Sequence, residues 1–481
     1  MAFEIQFLGG AGTVTGSKYL LTHNGQKVLV DCGLFQGQKP LRLKNWDKLP
    51  VSAAEIDCVI LTHAHIDHSG YIPRLINQGF RGKIYSTAAT RDLCEILLPD
   101  SGFLMEEEAR YLNRHKRTKH NPALPLFTKE EAEQSLAFFV PVPFRQKQTI
   151  SLDFSFEFHY VGHILGAASV IMHIGGSTIT FTGDIGRAND RVFHPPTLLP
   201  PTDYLVTEST YGNRLHPQTD VLEELATVIN ETYERKGVIL IPAFAVGRAQ
   251  TLPYYLSILK KQKRIPDFPM FLNSPMATSA GKIFCEYSNL HKLSTDQCAE
   301  AFSVIKYVNS AEESKDLNEM QGPMLIISAS GMLTGGRVLH HLKAFASQSE
   351  NTILLTGYQA EGTRGAALLN GTPEIKIHGE FIRVRAQIKV LENLSAHADY
   401  QEIIRWFSDS KIQPQKVFIT HGEKNASDEL KRRLGEVFGW QCFVPGQEDR
   451  VVLNTADGTT EQENLQVGKK KFGRPSEKNF A

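Results

Sequence analysis

The chain has 481 residues, which is long enough for two or more domains that each bury a core. Hydrophobic residues make up 41% of it and charged residues 22%, as in an ordinary globular protein, which argues against a disordered or fibrous chain. The formal net charge is zero, which neither supports nor excludes a nucleic-acid partner, because a neutral protein can carry a basic groove.

The beginning of the sequence and its cysteines indicate a cytoplasmic protein. MAFEIQFLGG has neither a basic segment nor a long apolar segment, so we expect no signal peptide. No stretch approaches the length of a membrane span, so we expect no membrane partner. The six cysteines form no C-x-x-C pair, as is typical of a reducing compartment.

The first predicted strand ends at a glycine-rich turn, GGAGTVTGS at residues 9–17. This turn fits neither G-x-G-x-x-G nor a Walker A pattern. We therefore prefer a plain hairpin turn to a phosphate-binding loop.

The most informative segment is LTHAHIDHSG, which follows the apolar run IDCVIL at residues 56–61. Its imidazoles and carboxylate suit zinc or a similar divalent metal. His63 and His65 are two residues apart and point the same way from an extended segment. Asp67 and His68 are adjacent and project differently, so they can serve a second ion. The spacing therefore predicts two metals.

Other predicted strands also stop at a residue that can bind a metal. These residues are Asp31 after KVLV, His163 after FSFEFHYVG, Asp184 after STITFTG, Glu208 after DYLVT and His421 after KVFIT. Ligands of open α/β sheets gather outside the carboxyl ends of the strands. The pattern predicts one site along one sheet edge.

The segment 100–135 is rich in charge and in helix-forming residues. Its basic residues are Arg110, Arg114, Lys116, Arg117 and Lys119. A solvated helix and loop is the usual explanation of such a run, and the rim of a substrate groove is the alternative.

From about residue 209 the pattern changes to strands that alternate with helices, which predicts a second parallel sheet. Asp220 is the predicted N-cap of a helix that runs to Lys236. Two turns after these strands, SASGML and GYQAEGTRG, could receive phosphates through serine, glycine and backbone N–H groups. Ordinary turn chemistry explains them equally well. The candidate substrate contacts are Ser328, Ser330, Gly331, Arg337, Tyr358 and Arg364.

Taken together, H-x-H-x-D-H, a later GH step and a TGD step resemble the metallo-β-lactamase superfamily. Glu208 in ESTYG, His397 in SAHAD and His421 in THGE resemble motifs A, B and C of its β-CASP branch, which contains nucleases. The resemblance extends to about residue 455. It implies an α/β protein, a metallo-β-lactamase αββα sandwich with an inserted β-CASP α/β domain.

The resemblance also implies a discontinuous catalytic domain. We place its first part at 1–209, the β-CASP insertion at 210–385, and its C-terminal part with motifs B and C at 386–460. A basic flexible tail is expected at 461–481. The chain begins at the first strand and ends soon after motif C, so we expect neither a KH domain nor the long C-terminal domain of ribonuclease J.

The family's pattern implies a role for each of the candidate site residues. His63, His65 and His163 would hold one Zn²⁺ and Asp67, His68 and His421 a second, with Asp184 bridging both. Asp67 and Asp184 would also be catalytic, and Asp31 would orient a ligand or the nucleophile by hydrogen bonds. His397 would be the general acid and Glu208 would hold and polarise it.

The resemblance implies a zinc-dependent ribonuclease that cleaves single-stranded RNA by a metal-bound hydroxide and leaves 5′-phosphate and 3′-hydroxyl ends. The alternatives are a DNA nuclease of the β-CASP repair branch and a small-molecule metallo-hydrolase. His421 favours RNA, because DNA-repair members typically have valine in motif C. A non-catalytic scaffold is disfavoured, because every expected ligand is present. Endonuclease and exonuclease modes stay open, as do monomer and homodimer.

Overall fold

The computed structural model describes residues 2–454, and its first part is built mainly from strands. The elements are β1 Ala2–Gly9, β2 Lys18–His23, β3 Gln26–Val30, α1 Lys39–Leu43, β4 Cys58–Ile60, α2 Ile66–Ser69, α3 Ile72–Asn77, β5 Lys83–Ser86, α4 Ala88–Arg114, α5 Lys129–Ser135, β6 Phe139–Pro141, β7 Gln148–Thr149, β8 Phe154–Tyr160, β9 Ala168–Ile174, β10 Ser177–Phe181 and β11 Tyr204–Thr207.

Alternating helices and strands follow, and the last part returns to the first domain. The elements are α6 Val221–Glu234, β12 Val238–Pro242, α7 Arg248–Lys261, β13 Met270–Asn273, α8 Pro275–Glu286, α9 Thr295–Ser303, β14 Lys306–Tyr307, α10 Ala311–Glu319, β15 Met324–Ser328, α11 Val338–Phe345, β16 Thr352–Leu355, α12 Arg364–Leu369, β17 Glu374–Ile377, β18 Glu380–Arg383, β19 Gln387–Val390, α13 Tyr400–Ser410, β20 Lys416–Ile419, α14 Lys424–Phe438, β21 Cys442–Phe443 and β22 Arg450–Asn454.

Two seven-stranded sheets form the first domain. Their strand orders are β22-β1-β2-β3-β4-β5-β6 and β21-β20-β11-β10-β9-β8-β7. Side chains alternate between the faces of a strand, so Val28 and Val30 pack between the sheets while Leu29 packs under the helices. Leu93 of α4 and Phe407 of α13 belong to that outer core. The predicted αββα sandwich is therefore confirmed.

A second, six-stranded sheet has the order β14-β13-β15-β12-β16-β19, and its strands are parallel. Apolar cores cover both of its faces, as a parallel sheet requires. The predicted second parallel sheet is confirmed. Its edge strand β19 ends at Val390, so the sheet extends past the boundary predicted at 385. Between β16 and β19 in the chain, β17 and β18 form a separate two-stranded hairpin.

Local signals account for the helix ends. The Asp220 side chain accepts from the backbone N–H of Leu222, so α6 begins where predicted, and it ends at Glu234, two residues before the predicted end. Within residues 2–454, no helix is both long and apolar enough to cross a membrane. The tail predicted at 461–481 lies outside the described residues.

Candidate metal centre and cleft

The chemistry-bearing side chains follow the carboxyl ends of strands, where the backbone leaves the sheet and exposes polar groups. Asp31 follows β3, His63 follows β4, His163 follows β8, Asp184 follows β10, Glu208 follows β11 and His421 follows β20. Strands β3 and β4 are parallel, as are β10, β11 and β20, so these ends meet at common sheet edges. His65 precedes α2, which carries Asp67 and His68.

One cluster joins His63, His65, His163 and Asp184. The Nδ1 atom of His65 lies 3.2 Å from the Nε2 atoms of both His63 and His163. Asp184 Oδ2 lies 3.3 Å from His63 Nε2 and 3.5 Å from His163 Nε2. Ligands held about 2.0–2.1 Å from a tetrahedral zinc ion lie roughly 3.3 Å apart. The four atoms therefore have the spacing of one coordination shell.

The second cluster joins Asp67, His68 and His421. Asp67 Oδ2 lies 3.3 Å from His421 Nε2 and 3.8 Å from His68 Nε2. The other oxygen of Asp184, Oδ1, lies 3.3 Å from His68 Nε2. Asp184 thus directs one carboxylate oxygen at each cluster, as a ligand shared by two ions would.

The polar atoms of this centre fit a pair of cations. Asp184 Oδ1 and His68 Nε2 are buried, and neither has a hydrogen-bond partner among residues 2–454. Buried polar atoms normally have partners, and unpaired ones require an explanation. Burial, followed by repulsion from His68, lowers the pKa of His63 to about 3, so its imidazole is neutral, as metal ligation requires.

Asp31 holds the neighbouring groups in place. Its carboxylate lies 2.7 Å from His68 Nδ1 and accepts hydrogen bonds from the backbone N–H and the hydroxyl of Thr62. A carboxylate on the far nitrogen of a histidine fixes the tautomer and directs the other nitrogen at a metal. This contact suits the orienting role that the sequence suggested for Asp31.

His397 lies beside the first cluster and is paired with Glu208. Its Nδ1 lies 3.1 Å from both carboxylate oxygens of Glu208, and its ring centroid is 4.5 Å from that of His163. Glu208 is itself fixed, because Oε1 accepts from the backbone N–H of Ile185 at 2.5 Å. Burial opposes a charged imidazole here, but the charge and hydrogen bond of Glu208, together with the charges of Asp184 and Asp67, outweigh it and raise the pKa of His397 to about 9.

Sequence reasoning missed the residues that support His397. The Nε2 of His216 lies 2.8 Å from the carbonyl oxygen of His397, and the ring of Tyr211 lies 4.7 Å from that of His216. Asp399 accepts from the backbone N–H of His216. Tyr211 belongs to the ESTYG motif and Asp399 to SAHAD, so their positions within these motifs could have identified them. Nothing in the sequence marks His216.

A cleft of about 1600 Å³ opens from this centre. His65, Asp67, His163, Asp184, His397 and His421 line it, together with α4 and turns of the six-stranded domain. Phe244, which follows β12, faces the metal centre with its ring 6.1 Å from that of His65. The cleft exceeds the roughly 300–1,000 Å³ of ordinary small-molecule pockets.

The candidate substrate contacts divide into two groups. Ser330, Arg337, Tyr358 and Arg364 line the cleft. Ser328 and Gly331 do not line it, since Ser328 is fully buried with its hydroxyl bonded to the Asn273 carbonyl, and Gly331 is buried against Phe244. The geometry therefore gives these two residues no substrate contact.

The guanidinium groups of the two arginines are engaged within their own domain. Arg337 donates to Asn273 Oδ1 and to the carbonyl oxygens of Val308 and Asn309. Arg364 donates to three carbonyl oxygens, among them that of Lys376. Both side chains therefore hold the wall of the cleft together. A ligand can reach their charge only from the solvent-exposed side of each guanidinium group.

Three family models match the chain. The metallo-beta-lactamase superfamily matches residues 11–241 and the Beta-Casp domain residues 249–368. The Zn-dependent metallo-hydrolase RNA specificity domain matches residues 382–445. The three models follow one another along the chain, and the metallo-beta-lactamase match extends beyond residue 210, the predicted start of the insertion.

The alignments with similar proteins extend over most of the chain. Ribonuclease TTHA0252 of Thermus thermophilus is 34% identical over 426 residues, which span 86% of this chain and 92% of that protein. Transcription termination factor FttA of Methanocaldococcus jannaschii is 32% identical over 468 residues, 93% of this chain and 71% of that protein. A crystal structure of a protein of unknown function from Enterococcus faecalis V583 shares the fold, with TM-score 0.51 and 13% identity over 94% of this chain and all of that one.

Proposed function

The chain belongs to the β-CASP branch of the metallo-β-lactamase superfamily and is a metal-dependent hydrolase, and from this we propose that it is a zinc-dependent ribonuclease of single-stranded RNA. The observation that carries the proposal is the position of Asp184, between two ligand clusters and beside the His397–Glu208 pair, at the base of a long cleft.

Two Zn²⁺ ions are proposed as the resident metals. His63, His65 and His163 would hold one, Asp67, His68 and His421 the other, and Asp184 both. When bound, such a pair neutralises phosphodiester charge and supplies a nucleophile from water near neutral pH. The mixed imidazole and carboxylate donors suit zinc.

The chain's own groups would handle the proton. Glu208 accepts from Nδ1 of His397, so the imidazolium stays oriented and its Nε2–H is free to face the cleft. A leaving sugar oxygen needs a proton as its bond to phosphorus breaks, and His397 would deliver it from Nε2. The Thr210 hydroxyl is hydrogen-bonded to Nδ1 of His421 and restrains that ring.

RNA is favoured as the substrate for four reasons. The cleft is larger than a small-molecule pocket, the matching family model describes an RNA specificity domain, and one of the relatives is named a ribonuclease. His421, in the position of motif C, agrees with RNA-acting members of the branch.

The test uses zinc-loaded chain with end-labelled single-stranded RNA and DNA of the same sequence. We expect cleavage of the RNA, weaker or absent cleavage of the DNA, and products with 5′-phosphate and 3′-hydroxyl ends. Products that end in a 2′,3′-cyclic phosphate would show that the ribose hydroxyl attacks, and would overturn the proposed hydrolysis. His397→Ala, purified in parallel, controls for contaminating nuclease.

A further inference from the structure

Helix α4 forms one wall of the cleft and presents a mixed face to it. Every seventh residue of one stretch of α4 lies on the same side of the helix, and these residues are Leu97, Leu104 and Tyr111. All three line the cleft. Phe103 lines it too. The exposed fractions of Phe103, Leu104 and Tyr111 are 43%, 44% and 38%, which is high for side chains of this size.

Arg117 extends this surface and links it to the opposite wall. Its guanidinium lies 5.7 Å from the ring centroid of Tyr111 and donates to the tyrosine hydroxyl at 2.8 Å. The same nitrogen donates to the carbonyl oxygen of His378, which belongs to the turn between β17 and β18. One side chain therefore reaches from one wall of the cleft to the other, so the cleft is narrow at this end.

The two walls differ in character. The opposite wall contributes the basic side chains Lys376 and Arg364. The α4 wall contributes the acidic Glu107 and Glu108 beside the apolar surface. With Arg117, three cations face two carboxylates at this end, so charge favours a polyanion only weakly. Contact with Phe103, Leu104 and Tyr111 would supply the rest of the binding.

We propose that Phe103, Leu104 and Tyr111 form a stacking platform for the bases of an RNA single strand, at a distance from the metal centre. The proposal rests on the RNA substrate proposed above. A single strand can turn its bases to α4 and its phosphates to Lys376 and Arg364, whereas a duplex presents phosphates on both sides. Stacking on the rings of Phe103 and Tyr111 is tolerant of sequence, and Leu104 adds apolar contact, so the platform binds every base.

The helix sets the length of the platform. Tyr111 lies eight residues beyond Phe103 in α4, or about 12 Å at a rise of 1.5 Å per residue. At roughly 3.4 Å per stacked nucleotide, this length corresponds to about three or four nucleotides. An RNA that occupies both the metal centre and the whole platform must therefore be longer than that.

The test measures binding of a ladder of RNA lengths by fluorescence anisotropy. The parent is the zinc-loaded full chain with His397→Ala, which slows cleavage, and the comparison carries Phe103→Ser, Leu104→Ser and Tyr111→Ser in addition. We expect unchanged affinity for RNAs of about four nucleotides and at least tenfold weaker binding at about twelve, on the order of one lost stack. Abasic nucleotides at the distal positions should weaken binding to the parent equally and have no further effect on the variant.

Trp46→Ser is the matched control, because Trp46 is also an exposed aromatic side chain beside a guanidinium, that of Arg74, yet it does not line the cleft. Its length dependence should equal that of the parent. If the parent binds no RNA, the proposed function fails. If the parent binds RNA and the triple variant has the same length dependence, only the platform is overturned. A change of mass in light scattering, with RNA binding intact, would assign the surface to contact between copies and also overturn it.

Discussion

At the scale of one residue, a substitution of His397 distinguishes a general acid from a metal ligand. Its Nδ1 is bonded to Glu208 and it belongs to neither of the two proposed ligand sets, so His397→Ala should leave metal content unchanged. The rate should fall about 10²–10⁴-fold, the usual contribution of a general acid. Elemental analysis beside single-turnover cleavage measures both quantities. Loss of a metal from this variant would make His397 a ligand.

Glu208→Gln should move the pH profile in a defined direction. Burial lowers the pKa of His397, but the charge and hydrogen bond of Glu208, helped by Asp184 and Asp67, outweigh it and bring the pKa to about 9. A general acid works while protonated, so activity is lost as the pH rises through that pKa. Glutamine removes the negative charge and lowers the pKa, so the alkaline limb should shift to lower pH. A limb that stays in place would mean that another group controls it.

The sequence grouped the candidate ligands better than the residues that support them, and their role as ligands stays a prediction. His63 to His68 are close in sequence, and the others follow strands, so the pattern sufficed to group them. The strands belong to both seven-stranded sheets, so the site lies where the ends of two sheets meet and not along the single sheet edge that was predicted. His216 contacts His397 only because the chain returns from the six-stranded domain, and no local pattern encodes such a contact. The buried hydroxyl of Ser328 illustrates the same limit, since a strand end does not specify which side faces a cleft.

At the scale of an element, the start of α13 connects stability to the site. Asp399 is its N-cap and accepts from the backbone N–H of Gln401 and Glu402 through Oδ1, and from that of His216 through Oδ2. Asp399→Ala should cost about 1–2 kcal/mol of unfolding free energy. It should also lower the rate, since His397 is two residues away and His216 loses its anchor.

Urea unfolding and cleavage assays test this, with Asp399→Asn as the control because asparagine also caps helices. We expect Asn to recover most of the stability. Equal unfolding free energies for Ala and the unsubstituted chain would show that the cap contributes nothing measurable.

Helix α4 shows why some elements could not be predicted in full. The charged segment 100–135 indicated a helix and loop, but α4 begins at Ala88, and Pro99 inside it is normally a signal of helix termination. The N-cap Thr87 and the bonds of Thr87 and Thr90 to the Gly166 carbonyl oxygen fix its start. These tertiary contacts outweigh the local signal.

At the scale of the whole molecule, the proposed metals should join distant parts of the chain. The ligands come from three stretches, around residues 63–68, 163–184 and 421, so bound ions link segments that the insertion separates. A chelator should lower the melting temperature and abolish cleavage, because ions that bind only the folded state stabilise it.

Readdition of zinc should restore both properties. His421→Ala should retain about one metal per chain in place of two, since it leaves His63, His65 and His163 untouched. A melting temperature unaffected by complete removal of metal would argue against a structural link through this centre.

The narrow cleft makes a last prediction about strandedness. Arg117 bridges its walls, and basic side chains lie mainly on one of them, so the geometry suits one strand and not two. We expect a blunt RNA duplex to resist cleavage at ionic strengths where its single strand is cut. Binding of the single strand should weaken with salt, yet with a shallow slope, because few phosphates meet cations and stacking contributes the remainder. The measurement is the dissociation constant of the single strand across a salt series, with the duplex as competitor. A duplex that competes as well as the single strand would contradict this account of the cleft, whatever the fate of the metal assignments.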